Sequence, residues 1–270
     1  MKLEIEGVHY HIEILNEDKE QALVFLHGFT GSSETWQNMM PYFADYKLVL
    51  IDLIGHGETD SPADPERFSM ELQLRDLEHL FERLGLRDFA LAGYSMGGRA
   101  ALAYACTYPE RLSVLILESS SPGLKTELQR NERRDSDLLL AEQILSGGIA
   151  SFVGSWEKIP LFKTQETLPE TVKAAVRRER LAQKPVGLAN SLIGMGTGSQ
   201  ASYWETIRQL EFPVLLVTGE LDLKFTAIAE EMAALMPDAE HKQIVAGHAL
   251  HVEKPDEFAT MVREYLKKKF

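Results

Sequence analysis

Residues 91–98 read Leu-Ala-Gly-Tyr-Ser-Met-Gly-Gly, and within them Gly93-Tyr94-Ser95-Met96-Gly97 fits the pattern G-x-S-x-G. In that pattern a sharp strand-to-helix turn pushes a serine hydroxyl out above the end of a parallel sheet. Glycine at 93 and 97 removes two Cβ atoms that would hold strand and helix apart, and the strained serine backbone between them is then tolerated. Five residues with three fixed positions recur by chance, so the flanks decide. Upstream, Asp88–Ala92 reads as the end of a buried strand; downstream, Arg99–Cys106 is Ala-rich and narrow enough to lie against a sheet.

Working outward, Leu3–Ile5 and Tyr10–Leu15 alternate apolar with polar side chains, as half-exposed antiparallel edge strands do. Ala22–Leu26 and Leu48–Ile51 are continuously apolar, the mark of strands buried on both faces. Each runs into a glycine-bearing loop, His27-Gly28-Phe29-Thr30-Gly31 and Asp52-Leu53-Ile54-Gly55-His56-Gly57. Ser33–Phe43 reads as a helix, and Leu77, Leu80, Phe81 and Leu84 give a second helix from Met70 to near Gly85. Ser113–Glu118, Phe212–Thr218 and Ala239–Val245 continue the buried-strand rhythm, and Phe258, Met261, Val262 and Tyr265 mark a closing amphipathic helix. The expectation is an α/β fold with a mostly parallel, doubly wound sheet.

The rhythm breaks between Ser119 and about Ser202, where no buried strand run occurs. We therefore expect a core of residues 1–120 and 203–270 and a helical cap inserted at 121–202, placed over the carboxyl edge of the sheet where it can close a pocket. Residues 121–200 hold eleven Lys/Arg and nine Asp/Glu, a net of +2, on a chain whose formal net charge is −13. A mildly basic cap on an acidic body points to an anion held between them, although for any single cation a solvated surface role is the commoner one.

At 270 residues the chain can bury one sizeable core. Its acidic balance argues against nucleic acid or an anionic membrane as partner, since both need a positive footprint. Cys106 is the single cysteine, which excludes an internal disulfide and suits a small buried residue in a reducing compartment. The first residues lack the apolar run of a signal peptide and no stretch approaches transmembrane length, so a cytoplasmic protein is expected.

A serine hydroxyl is inert at neutral pH unless a base takes its proton and a third group orients that base. In this architecture the order along the chain is Ser, acid, His, each on a loop after its own strand. Gly219-Glu220-Leu221-Asp222 and Gly247-His248 follow the last two strands, so Asp222 can fix the imidazole tautomer and His248 can accept the Ser95 proton. Glu220 is the rival acid, but it lies nearer the strand end. His251 reads as a satisfied structural histidine, and His27 and His56 as loop braces. His248-x-x-His251 lacks the acidic helix pattern of a zinc hydrolase, and no metal or cofactor is expected. Gly194-x-Gly196-x-Gly198 has no strand before it and reads as a flexible loop, not a nucleotide site. The motif places an oxyanion hole at the backbone N–H groups of Phe29 and Met96.

With these motifs in place the chain resembles α/β-hydrolase-fold proteins over its whole length. More narrowly, it resembles the 2-succinyl-6-hydroxy-2,4-cyclohexadiene-1-carboxylate synthase family of menaquinone biosynthesis. The resemblance rests on Gly93–Arg99, Leu117–Leu124, Glu132-Arg133-Arg134-x-x-Asp137, Trp156–Phe162, Gly196-Thr197-Gly198, Gly219–Phe225 and Gly247-His248-x-x-His251-Val252-Glu253. It implies a lyase that eliminates pyruvate from 2-succinyl-5-enolpyruvyl-6-hydroxy-3-cyclohexene-1-carboxylate. Ser95, activated by His248 and Asp222, would act as the base, and N–H or cationic donors would stabilise the enolate. It further implies that Arg99, Arg133 and Arg180 bind the carboxylates of a small tricarboxylate substrate, with Tyr94 and Trp156 lining the same pocket. Arg177 and Arg178 are rivals to Arg180. The triad alone also admits a serine hydrolase of carboxylic esters or of carbon–carbon bonds in ring-cleavage products; a non-catalytic binding protein fits an intact Ser-Asp-His set poorly. Oligomeric state is left open.

Overall fold

The computed structural model describes all 270 residues. Eight strands form one sheet in the order β1-β2-β4-β3-β5-β6-β7-β8. β1 (Lys2–Ile5) and β2 (Val8–Leu15) are antiparallel; β3 (Ala22–Leu26), β4 (Lys47–Ile51), β5 (Phe89–Tyr94), β6 (Leu112–Glu118), β7 (Val214–Gly219) and β8 (Ala239–Ile244) run parallel. The register sets Leu26 beside Gly93, Gly93 beside Leu117 and Gly219 beside Ile244. The loops that follow β3, β5, β7 and β8 therefore open on one edge of the sheet.

Alternation along β3 shows why both faces need covering: Val24 and Leu26 join one core, Leu23 and Phe25 the other. The first core packs under α1 (Met70–Arg83), α2 (Met96–Thr107) and α6 (Leu223–Leu235). Phe81 there meets Phe89 and Tyr104 edge-on with centroids 4.7 and 5.1 Å apart, pairs that add about 0.5–1.5 kcal/mol each beyond burial. The second core packs under Trp36, Phe43 and α7 (Pro255–Lys269), through Phe258, Val262 and Tyr265. α2 lies flat on β5 because its inner residues Ala100, Ala101, Ala103 and Ala105 are small and fully buried.

Between β6 and β7 the chain leaves the sheet to form α3 (Glu127–Trp156), α4 (Glu170–Leu181) and α5 (Pro185–Met195), here called the insert. It has a small core of its own, Ala141, Ile144, Phe152 and Val153 of α3 against Leu188, Ala189 and Leu192 of α5. Its two roots are tied together: the Tyr203 N–H donates to Pro122 O at 2.8 Å, the Trp204 indole N–H to Gly123 O at 2.9 Å, and Lys125 Nζ sits 4.3 Å over the Trp204 ring.

Four readings of the sequence need correction. Segment 33–43 is a 3-10 helix with Pro41 inside it, which denies it an α-helical ladder. β8 is an edge strand with one fully buried residue, Ile244, because it pairs with β7 alone. α3 is long and apolar enough, by length and composition, to cross a bilayer, contrary to the expectation that no stretch approaches that length; it is broken at Gly148 (φ +75°) and leaves Leu128, Leu138, Leu139 and Leu145 exposed. Residues 194–198 are not a flexible loop but a contact surface: a Cβ on Gly194 would meet Phe68, and one on Gly198 would meet the Arg134 backbone, each within about 2.6 Å.

Candidate active site

Ser95 sits at φ +50°, ψ −105° between β5 and α2, a conformation that costs a non-glycine residue about 1–3 kcal/mol. The flanks hold it there. A Cβ on Gly93 would lie 2.5 Å from Gly97 O, and one on Gly97 2.3 Å from Leu26 O, so no other residue lets α2 begin so close to β3. The Ser95 N–H donates to Glu118 O at 2.9 Å and its carbonyl accepts from Arg99 N–H at 2.9 Å, fixing the turn from both sides.

The Ser95 hydroxyl is 3.0 Å from His248 Nε2, and His248 Nδ1 is 2.6 Å from Asp222 Oδ2. His248 and Asp222 are buried. A carboxylate only accepts, so Nδ1 carries the proton and Nε2 is left to accept from the serine. Glu220, the rival acid, is exposed at the end of β7. The loop bearing His248 is held through its backbone: the Gly247 N–H donates to Glu253 at 2.7 Å, and the Leu250 and His251 N–H groups donate to Glu118 at 2.6 and 3.2 Å. The His251 ring also donates to Glu118, at 2.8 Å. Glu253 accepts in addition from Thr164 of the insert, at 3.0 Å.

The N–H groups of Phe29 and Met96 donate to no acceptor within the protein, so both are free for a developing oxyanion. His27 and His56 brace the neighbouring loops. His27 accepts from Leu53 N–H and donates to Gly28 O, His56 bonds to Ile54 O, and burial lowers their pKa values to about 4 and about 3, so both are neutral. No group of three or more His, Cys, Asp or Glu side chains is arranged to hold a metal ion.

Aromatic rings enclose the imidazole. Phe225 and Tyr94 lie 4.6 and 5.4 Å from His248, centroid to centroid, and Phe162 of the insert lies 6.3 Å away. Trp156 continues this wall, 5.9 Å from Phe162 and 5.4 Å from Phe29. A cleft of about 660 Å³ extends from Tyr94, Phe162 and Arg180 towards His251 and Arg178; Ser95 and His248 are not in its wall.

The predicted arginines form two groups and not one. Arg180 is buried, lies 4.6 Å over the Phe162 ring and has a single polar contact, with Gln165 at 3.4 Å; burial lowers its pKa. Of its rivals, Arg177 is paired with Glu157 at the surface, whereas Arg178 lines the same cleft as Arg180. Arg99 is 9 % exposed, and its Nη1 donates to Met195 O at 2.9 Å and Gln200 Oε1 at 2.5 Å; burial, followed by the nearby Arg133, lowers its pKa to about 10. Arg133 donates Nε–H to Asp137 at 2.7 Å. Neither Arg99 nor Arg180 has a carboxylate partner. Asp137 and Gln200 are site residues that the motifs alone do not mark: Asp137 stands one helical turn from Arg133, a signal in the sequence, whereas Gln200 reaches Arg99 across a separation of 101 positions and gives none.

A profile of the α/β hydrolase fold matches residues 21–255. A Bacillus subtilis protein provisionally named 2-succinyl-6-hydroxy-2,4-cyclohexadiene-1-carboxylate synthase is 45 % identical over 262 residues, covering 97 % of this chain and 96 % of that one. The synthase of that name from Enterobacter sp. (strain 638) is 34 % identical over 245 residues, 91 % of each chain. The solved structure of MenH from S. aureus superposes with a TM-score of 0.92 at 40 % identity, covering 97 % of this chain and 98 % of that one. The chain thus belongs to the α/β hydrolase fold family, and within it to the 2-succinyl-6-hydroxy-2,4-cyclohexadiene-1-carboxylate synthases.

Proposed function

We propose that this enzyme, a lyase of menaquinone biosynthesis, eliminates pyruvate from 2-succinyl-5-enolpyruvyl-6-hydroxy-3-cyclohexene-1-carboxylate, with Ser95 as the base and the insert as a cap over the reacting ring. The single observation that carries the choice of substrate is the pair of buried guanidinium groups, Arg99 and Arg180, neither of which has a carboxylate partner. A buried cation left uncompensated is costly, and a substrate with three carboxylates compensates it.

The chemistry then follows from the geometry. Ser95 Oγ, its own proton passing to His248 Nε2, takes the proton from ring carbon 2, beside the succinyl ketone. Charge develops on the ketone oxygen, where the free N–H groups of Phe29 and Met96 stabilise it. Collapse forms the 2,3 double bond, shifts the 3,4 double bond to 4,5 and breaks the bond from carbon 5 to the enolpyruvyl oxygen. The enolpyruvyl group departs as an enolate, which takes one proton at its methylene carbon to become pyruvate. Asp222 keeps the imidazole in the tautomer that leaves Nε2 free and stabilises the imidazolium that forms. Phe162, Trp156, Tyr94 and Phe225 keep the site dry, which strengthens each of these interactions.

The test is pyruvate release, followed by a coupled dehydrogenase, from purified wild-type protein and from Ser95→Ala. Wild type should release it far faster than the uncatalysed elimination, and Ser95→Ala should be slower by several powers of ten. No pyruvate above background overturns the lyase reading, and a larger kcat/KM on p-nitrophenyl acetate would favour a hydrolase.

A further inference from the structure

We propose that Asp137 is a positioning residue that turns Arg99 and Arg133 into one carboxylate clamp, an inference that rests on the reading of an anionic substrate above. Asp137 is 3 % exposed on the inner face of α3. Its Oδ1 accepts from Arg133 Nε, while its Oδ2 is buried without a partner. Arg99 stands close enough for both Arg133 and Asp137 to act on its charge. Asp137 bonds to Arg133 alone, and the group of Asp137, Arg133 and Arg99 carries one positive charge in excess.

What matters is which edges are spent. Asp137 takes only the Nε of Arg133, so Nη1 and Nη2 have no partner in the protein. Met195 O and Gln200 Oε1 both take Nη1 of Arg99, so its Nε and Nη2 are likewise unpartnered. Each planar group therefore keeps a two-donor edge of the kind that grips a carboxylate bidentately. The arrangement also bears on Gly196. A Cβ on Gly196 would come 2.6 Å from Asp137 Oδ2, so glycine there lets the 195–200 segment close over Asp137 while delivering Met195 O and Gln200 to Arg99.

A carboxylate beside an anion site invites the opposite view, that Asp137 merely offsets charge and opposes substrate. The two roles differ in sign. The Arg133 side chain is 41 % exposed and is repelled by Arg99, so once Asp137→Asn leaves only a neutral acceptor at its Nε it turns to solvent, where its charge is screened. A positioning role makes Asp137→Asn bind anions more weakly; a counter-charge role makes it bind them more tightly.

The experiment measures, by titration calorimetry, the affinity of 4-(2-carboxyphenyl)-4-oxobutanoate, a stable dicarboxylate bearing a ring carboxylate and a succinyl chain. Wild type, Asp137→Asn, Arg133→Gln and the double variant are compared, with KM and kcat for pyruvate release alongside. Asp137→Asn should weaken binding and raise KM about tenfold, the loss of one charge-assisted hydrogen bond, with kcat changed much less. Arg133→Gln should show the same tenfold loss, and the double variant no more than either single one. Tighter or unchanged binding by Asp137→Asn, additive losses, or a wild type that does not bind the probe overturns the proposal. Should Asp137→Asn fail to fold, Arg133→Gln decides: wild-type affinity in that variant overturns the clamp. If wild type binds the probe but releases no pyruvate, the proposed reaction fails while the affinities still judge Asp137.

Discussion

Replacing Arg99 with methionine should leave the empty enzyme about as stable as before while removing most of its activity on the triacid. Burial draws the Arg99 pKa from the usual guanidinium range down to about 10. At about 1.4 kcal/mol per unit that is about 3 kcal/mol. Because pH 7 lies below both values, the side chain is charged in the folded and unfolded chain alike, and the whole amount acts against folding. Methionine removes this term and fills a similar volume, but it leaves Met195 O and Gln200 Oε1 without their donor, about 1–3 kcal/mol for buried acceptors. The two terms cancel to within about 2 kcal/mol, which at this chain length moves the thermal midpoint by only about 5 °C. Catalysis has no such cancellation: a buried charge pair with one partner truncated loses about 2–5 kcal/mol, or roughly 30- to 5000-fold in kcat/KM for pyruvate release. Calorimetric melting and pyruvate release, with p-nitrophenyl acetate as a neutral reference substrate, check both halves. A fall in midpoint of 15 °C or so, with equal losses on both substrates, would show that Arg99 is a strut between α2 and the 195–200 segment and not a binding group.

Gly97→Ala should destabilise the fold by at least about 3 kcal/mol, since the new methyl would lie 2.3 and 2.4 Å from the backbone oxygens of Leu26 and His27, which have nowhere to go; an unshifted urea midpoint contradicts this. Stability should also fall as pH drops from about 6.5 towards 4. His27 and His56 are held neutral in the fold, with pKa values near 4 and 3, but take up protons near 6.5 once unfolded, so the unfolded chain binds more protons in that window. Each contributes a loss of roughly 2–3 kcal/mol by pH 4.5. His56→Asn should flatten the pH dependence measured by urea unfolding, and an unchanged slope would refute it.

The parallel core was legible because strands buried on both faces are written as unbroken apolar runs, and because Gly93 and Gly97 mark a close approach that no side chain permits. The order of Ser95, Asp222 and His248 along the chain could be read for the same reason: each follows a strand ending on the same edge. Other features depend on partners distant in sequence. The exposure of β8 follows from its place at the sheet edge, which its residues do not state. The glycines at 194–198 read as slack although they are pressed against Phe68, Asp137 and Arg134, because glycine marks both looseness and the tightest contacts. Counting charge over the insert pointed to an anion but did not separate Arg130 and Arg134, both spent on Glu127, from Arg180, which has no acidic partner, and did not include Arg99, which lies in α2.

The tie between residues 122–123 and 203–204 bears on how such a sheet acquires new chemistry. With Tyr203 and Trp204 bonded back to Pro122 and Gly123, β6 and β7 meet the insert across a closed neck, much as two strands meet a hairpin. The entropy of closing a longer excursion grows only with the logarithm of its length, so residues can be gained, lost or exchanged beyond the neck at little expense to strand register. The insert is in that sense a detachable module with its own small core. The sheet keeps the serine, histidine and aspartate in place, while the arginines and aromatic walls of Arg133, Trp156, Phe162 and Arg180 can be rewritten as a block.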